Sequence, residues 1–338
     1  MEKHIVIVGT GGTIAGQAGS ATDLTGYQSG VLELESILDS VPAVKDYGPF
    51  IFEQFSNIES SDIREKDWVQ LAQCLQAYLD RPDVAGAVIT HGTDSMEETA
   101  YFLHLVLKTH KPVVMTGSMR PAGAISADGP LHILQAVQLA RSEEAVGKGV
   151  LVTLNGYIDG AREVTKQNTT DVATFGNRTF GHMGVMQDGQ AYFYQASLRQ
   201  HTMGTDFSVA DLEAYMANHE AASEANPLPS VAMLMCYAGI EPALVQAVLN
   251  TQPAGFVLGG LGHGTIPKQV IAETENLSIP VVRASRTGSG IVSAVPSDGK
   301  RGYLVSDSLS PQKARILLML ALAKGYGKDA IREAFGRY

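Results

Sequence analysis

The sequence is poor in cysteine, in positive charge and in long apolar runs, and each shortage removes a class of function. Only Cys74 and Cys236 are present among 338 residues. They stand far apart, make no metal spacing, and pair only if the fold brings them together. Two buried thiols are expected rather than a disulfide framework. Lys and Arg number 25 against 35 Asp and Glu, a formal net charge of −10. Such a surface repels phosphate backbones and anionic membranes, so neither nucleic acid nor a membrane is an expected partner. No stretch reaches the roughly 18 apolar residues of a membrane-spanning helix. The start, Met1-Glu2-Lys3-His4-Ile5-Val6-Ile7-Val8-Gly9, does not read as a signal peptide, because its apolar run is too short and ends in a glycine turn. As written, the chain reads as cytoplasmic; a periplasmic chain whose leader had been replaced by Met1 would read the same.

What is present is glycine, at 35 residues, and a 45% apolar fraction that supports a sizeable core and excludes intrinsic disorder. Ile5-Val6-Ile7-Val8 is a continuous apolar run, as in a strand covered on both faces. Ala85–Thr90, Pro112–Thr116 and Gly149–Thr153 repeat the pattern. Between them Trp68, Leu71, Ala72, Leu75 and Leu79 recur at helical spacing, and Thr99–Leu103 and Leu131–Val137 lead further helices. Strand–helix alternation with short glycine turns predicts a doubly wound α/β sheet. A polar stretch closed by Pro227 and Pro229 separates this from a second alternation through Val231–Cys236, Ala243–Leu249, Gly255–Leu258 and Pro280–Arg283. Ser310 and Pro311 start a last helix that ends before Gly325. The expected organisation is a larger N-terminal α/β domain over 1–197, a linker with a helical piece over 198–230, and a smaller C-terminal α/β domain over 231–338.

Four polar clusters follow strand patterns. In Gly9-Thr10-Gly11-Gly12-Thr13-Ile14-Ala15-Gly16 the third glycine of a dinucleotide fingerprint is replaced by Ile14, which leaves Thr13, held in a tight turn, as a candidate nucleophile. In Thr90-His91-Gly92-Thr93-Asp94-Ser95-Met96-Glu97-Glu98 two overlapping capping boxes, Asp94…Glu97 and Ser95…Glu98, compete. If Ser95 is the cap, Thr93 and Asp94 are available at the strand end. His91 reads as a hydrogen-bonded structural histidine, since no second His stands at metal spacing. Lys166 follows a strand pattern in Val164-Thr165-Lys166-Gln167-Asn168-Thr169-Thr170-Asp171. Most such lysines are solvated, but a lysine withdrawn from water beside an acid can accept a proton near neutral pH. Asn57-Ile58-Glu59-Ser60-Ser61-Asp62 either caps the Trp68 helix or offers hydroxyls to a polar ligand.

Together these segments resemble the bacterial L-asparaginases, in particular the type II and glutaminase-asparaginase branch. Thr10–Gly16, His91–Ala100 and Val164–Asp171 match three family signatures in the family's order, with Met119-Arg120-Pro121, Ser126–Pro130 and Pro311-Gln312-Lys313-Ala314-Arg315 alongside. The resemblance spans essentially the whole chain. It implies hydrolysis of L-asparagine without metal or cofactor, Thr13 forming a β-aspartyl ester that water then cleaves. It also implies a Thr93–Lys166–Asp94 chain arranged much like a serine triad, with the Thr93 N–H as oxyanion donor. Tyr27 matches the family's lid tyrosine. Ser60 and Asp94 are implied to hold the amino-acid end of the substrate, with Ser61, Gly12, Gly92 and Thr93 completing the binding set. A homotetramer, as a dimer of dimers, is implied, with Thr265 contributed by a neighbouring subunit.

The chain departs from the pattern in three places. Ser61 stands where type II enzymes carry Gln and glutaminase-type relatives Glu. Thr265 stands where relatives have Asn or Ser, and Arg286–Asp298 lacks the partner-subunit Glu. Substantial L-glutamine hydrolysis is therefore the nearest rival reading. A catalytically silent amino-acid-binding module and an NAD-dependent enzyme are more distant ones.

Overall fold

The computed structural model describes residues 3–16, 19–23 and 34–338. The chain divides into two units, Met1–Thr205 and Asp206–Tyr338.

The N-terminal unit runs β1 (His4–Gly11), α1 (Leu34–Asp39), β2 (Phe50–Ile58), α2 (Glu65–Leu79), β3 (Val84–Thr90), α3 (Met96–Val106), β4 (Val113–Thr116), α4 (Gly129–Arg141) and β5 (Val150–Leu154). Then come β6 (Tyr157–Gly160), a two-stranded ribbon of β7 (Thr165–Lys166) and β8 (Phe175–Gly176), and the hairpin β9 (Gly184–Gln187)–β10 (Gln190–Phe193). The main sheet has the order β10-β9-β6-β5-β4-β3-β1-β2. Strands β1 to β5 are mutually parallel and β6, β9 and β10 run antiparallel at one side. Ile5 and Ile7 belong to one apolar cluster with Leu34 and Ile37 of α1 and Ile133, Ala136 and Val137 of α4. The strand period of two turns Val6 and Val8 to the opposite face, and all four are fully buried, which is why β1 reads as an unbroken apolar run. The antiparallel side of the sheet escaped the sequence reading because β6, β9 and β10 are each four residues long, too short to show a period.

Strand order reverses around β1. It pairs with β2 on one side and β3 on the other, so the crevice at its carboxyl end is a switch point where α/β folds bind ligands. The carboxyl ends are braced by buried threonines. Thr10 Oγ1 donates to the Thr90 carbonyl at 2.9 Å, and Thr116 Oγ1 to the Thr153 carbonyl at 2.8 Å. His132 ties two exit loops, its ring nitrogens lying 2.9 Å from Gly117 O and from Asn155 N, and burial holds its pKa below the ordinary value.

The C-terminal unit runs α5 (Val209–Asn218), β11 (Val231–Met235), α6 (Pro242–Leu249), β12 (Gly255–Gly260), α7 (Lys268–Thr274), β13 (Val281–Ser285), α8 (Pro296–Arg301), β14 (Tyr303–Val305), α9 (Pro311–Ala323) and α10 (Lys328–Arg337). Its four strands are parallel in the order β11-β12-β13-β14. Phe256 and Leu258 pack with Val245 of α6 and Val270 of α7. Gly255 on the other face lets α9 approach, since a Cβ there would sit 2.9 Å from Leu318 Cδ2. Ser310 caps α9, its Oγ accepting the Lys313 N–H at 3.4 Å, with Pro311 in the first turn. Cys236 is buried and Cys74 half-buried, both are free, and burial pushes each thiol up to about 11. No helix among the described residues is long and apolar enough to cross a membrane.

Candidate active site

Three loops meet at the carboxyl end of the parallel strands, and glycine is what lets them touch. After β1 the backbone turns through Gly11 (φ +104°) and Gly12 (φ +82°) into a 3-10 turn over Thr13–Ala15. A Cβ on Gly12 would stand 2.3 Å from Gly92 Cα, and one on Gly11 would stand 2.6 Å from Ile58 O. The loop carrying Thr13 thus lies in backbone contact with the loops after β3 and β2, closeness that no side chain permits. Gly117, at the exit of β4, closes on the same spot: a Cβ there would lie 2.4 Å from His91 O.

Thr93 is 5% exposed and Thr13 7%. Lys166 Nζ donates to Thr93 Oγ1 at 2.9 Å and to Asp94 Oδ1 at 2.6 Å. The lysine side chain is 20% exposed, whereas that of Asp94 is 68% exposed and open to an incoming group. This is a hydroxyl–amine–carboxylate chain that joins the adjacent Thr93 and Asp94 to a lysine more than 70 positions away. Ser60, buried in a 3-10 turn over Ser60–Asp62, accepts the Asp94 N–H on its Oγ at 3.2 Å, and its carbonyl accepts the Ser95 hydroxyl at 2.5 Å. Ser61 beside it is exposed. His91 is fully buried, with Nδ1 2.7 Å from Gly92 O, and burial pushes its pKa down to about 4, so the ring is neutral.

Both bland accounts of these segments are corrected. The segment 57–62 does not cap the Trp68 helix, because α2 begins at Glu65 after Arg64, whose N–H is taken by Asp67 Oδ2 at 2.7 Å. Neither capping box forms at α3. Ser95 occupies the cap position, but its hydroxyl goes to Ser60, while the buried Glu97 accepts the Lys166 N–H on Oε2 at 2.7 Å. Glu97 and Ser95 are thus site-building residues that the local pattern disguised as caps. Their partners stand 69 and 35 positions away, and no local signal encodes them.

Beyond Lys166 the loop folds on itself. Asn168 Oδ1 accepts the N–H groups of Thr170 and Asp171, at 2.9 and 3.0 Å, and the Thr174 hydroxyl bonds Asn168 O at 2.5 Å. Behind the β7–β8 ribbon, His182 Nδ1 lies 3.0 Å from both oxygens of buried Asp159, with Tyr157 stacked on the ring at 4.0 Å. The hydrogen bond to Asp159 raises the His182 pKa above the ordinary 6.5 despite partial burial. Its stabilisation is full below about 6.5 and is lost as pH rises through the elevated folded value. The Tm difference between wild type and His182→Gln is therefore expected to shrink on that rise; a difference flat from pH 5 to 9 contradicts the pairing.

Tyr27 lies outside the described residues. Thr265 is exposed in the C-terminal unit, in a turn closed by reciprocal backbone bonds with Leu261 at 2.9 and 2.6 Å. The adjacent loops hang on buried Arg283. It grips Asp298 with two nitrogens, at 3.0 and 2.8 Å, and reaches the carbonyls of His263 and Ser293 at 2.6 and 2.9 Å. A lone arginine within a strand gave no hint of this. Among the described residues no group of His, Cys, Asp and Glu has the arrangement of a metal site.

Comparison with known proteins places the chain in a family. Residues 4–199 match the family description "Asparaginase, N-terminal", and residues 230–335 match "Glutaminase/Asparaginase C-terminal domain". The chain is 41% identical to L-asparaginase 2 of Bacillus subtilis, over 99% of this chain and 86% of that protein. It is 39% identical to L-asparaginase 2 of Escherichia coli, over 99% and 93%. It is 35% identical to the glutaminase-asparaginase of Acinetobacter glutaminasificans, over 100% of both. The crystal structure of a probable cytoplasmic L-asparaginase from Campylobacter jejuni superposes with a TM-score of 0.93, at 39% identity and full coverage of both chains. With both family regions matched in order, and relatives and fold aligned nearly end to end, the chain belongs to the asparaginase family.

Proposed function

We propose that this protein is an L-asparagine amidohydrolase, converting L-asparagine and water to L-aspartate and ammonia. The observation that carries the proposal is Lys166 Nζ at 2.9 Å from Thr93 Oγ1 and 2.6 Å from Asp94 Oδ1, with the loop of Gly92, Thr93 and Asp94 in backbone contact with the one bearing Thr13. Thr13 Oγ attacks the side-chain amide carbon, the C–N bond breaks, and ammonia leaves with the hydroxyl proton. A β-aspartyl ester remains. Water, deprotonated through Thr93 and Lys166, then cleaves the ester and restores the Thr13 hydroxyl. The Thr93 N–H supports the developing oxyanion. Asp94 and Ser60, with Ser61 beside them, receive the α-ammonium and α-carboxylate; the open carboxylate of Asp94 suits the cationic end. Gly12 and Gly92 contribute backbone. Tyr27 closes over the bound substrate. The working assembly is a homotetramer, a dimer of dimers, in which Thr265 serves a neighbouring subunit's site. No metal or other cofactor enters this scheme.

Relatives bear the names of both L-asparaginases and glutaminase-asparaginases, and Ser61 matches neither usual residue, so the second amide is the one rival to weigh. One methylene in a pocket is worth about 1–3 kcal/mol, or roughly 10- to 200-fold in kcat/KM. Ammonia release by the purified protein is expected to favour L-asparagine by a ratio in that range. A larger kcat/KM for L-glutamine overturns the asparagine assignment. Aspartate binding with turnover of neither amide overturns the hydrolase.

A further inference from the structure

His91 plays no part in the chemistry above, yet its ring is fully buried in the midst of the site. Its Nδ1 is 2.7 Å from the Gly92 carbonyl. A carbonyl oxygen only accepts, so Nδ1 carries the proton and Nε2 is a bare acceptor. Nε2 is buried and has no hydrogen-bond partner among the described residues, an arrangement that costs stability. A ring kept for packing alone would do better as an apolar one, so the Nδ1 bond is what the histidine offers.

That bond falls on a particular peptide. The Gly92 carbonyl and the Thr93 N–H belong to one planar trans amide and point in opposite directions. With the carbonyl turned to the buried His91 ring, the Thr93 N–H is turned the opposite way. The backbone on either side is fixed as well. His91 N–H bonds Thr116 O at 2.9 Å, and Asp94 N–H bonds Ser60 Oγ at 3.2 Å. Gly117 packs against the His91 carbonyl. Between these anchors Gly92 packs against Gly12 and Ser60, and the Nδ1 contact of His91 falls on the carbonyl of the Gly92–Thr93 peptide itself. We infer that His91 is the positioning residue of the oxyanion site: through Nδ1–H it locks the peptide plane that aims the Thr93 N–H at the reacting carbonyl. This rests on the hydrolase reading above.

The test uses three variants of the full chain. His91→Phe keeps a ring and removes the donor; His91→Asn keeps an amide donor near the Nδ1 position; His91→Gln moves it toward Nε2. A misaimed oxyanion donor is expected to lower kcat about 10- to 100-fold in His91→Phe and His91→Gln, with His91→Asn within about threefold of wild type. KM and the Kd for L-aspartate stay near wild type, because the interaction matures only in the transition state. Wild-type kcat in His91→Phe overturns the role, as does equal activity of the Asn and Gln variants, or losses that follow Tm instead of donor position. If His91→Phe does not fold, the Asn–Gln pair decides alone. A wild-type chain that releases no ammonia from L-asparagine refutes the hydrolase itself, a result distinct from an active wild type with an equally active His91→Phe.

Discussion

Thr13→Ala and Thr93→Ala are each expected to lower kcat for L-asparagine by about 10³-fold or more, roughly 4 kcal/mol of transition-state stabilisation. Both side chains are nearly buried, so each substitution removes a hydroxyl from a prepared environment rather than from solvent. The fold is expected to survive, because the loops also meet through backbone approach at Gly12 and Gly92. The two variants should differ in where they stall. Without Thr13 no ester forms and no ammonia appears. Without Thr93 the ester forms and water is poorly activated, so ammonia appears as a burst of up to one equivalent per site and an aspartyl adduct is visible by intact mass. Residual activity above a small percentage in either variant defeats its role. A Thr93→Ala enzyme with neither burst nor adduct reverses the division of labour between the threonines.

Lys166→Met is expected to reduce kcat about 10²- to 10⁴-fold, the range for loss of a positioned proton-transfer group, with little change in KM. Methionine retains much of the aliphatic stem, so packing of the β7–β8 ribbon is preserved, and the Glu97 bond to the Lys166 N–H involves backbone only. Removing one member of a buried ion pair ordinarily strands a charge at a cost of about 3–5 kcal/mol. Here the partner is 68% exposed, so Asp94 stays hydrated and Tm should fall little. Steady-state kinetics paired with thermal denaturation separate these outcomes. A pure KM effect contradicts the proton-transfer role.

Strands β1, β3, β4 and β5 of the N-terminal unit and β11, β12 and β13 of the C-terminal unit were legible in the sequence as apolar runs, and a parallel sheet covered on both faces needs such runs, as Ile5–Val8, Val113–Met115 and Val281–Val282 show; β2, half-exposed along its length, and the three-residue β14 were not. The short antiparallel strands were not, since two to four residues carry no period. Thr13, Thr93 and Lys166 were candidates as polar residues after strand patterns, where such folds do chemistry, and it was the family resemblance of their motifs that gave them roles. Glu97 and Ser95 did not, since an acid and a serine in the first turn of a helix satisfy a local capping rule equally well.

The sequence by itself determined which residues stand at strand ends, because strand length and glycine turns are local properties read at short range. Only the tertiary structure decided which of those ends touch. The approach of Gly12 to Gly92, the reach of Lys166 to Thr93 and the turn of the Gly92 carbonyl onto His91 all depend on strand order in the sheet. That order is settled by how whole layers bury their apolar faces, a cooperative balance that no short stretch of sequence contains.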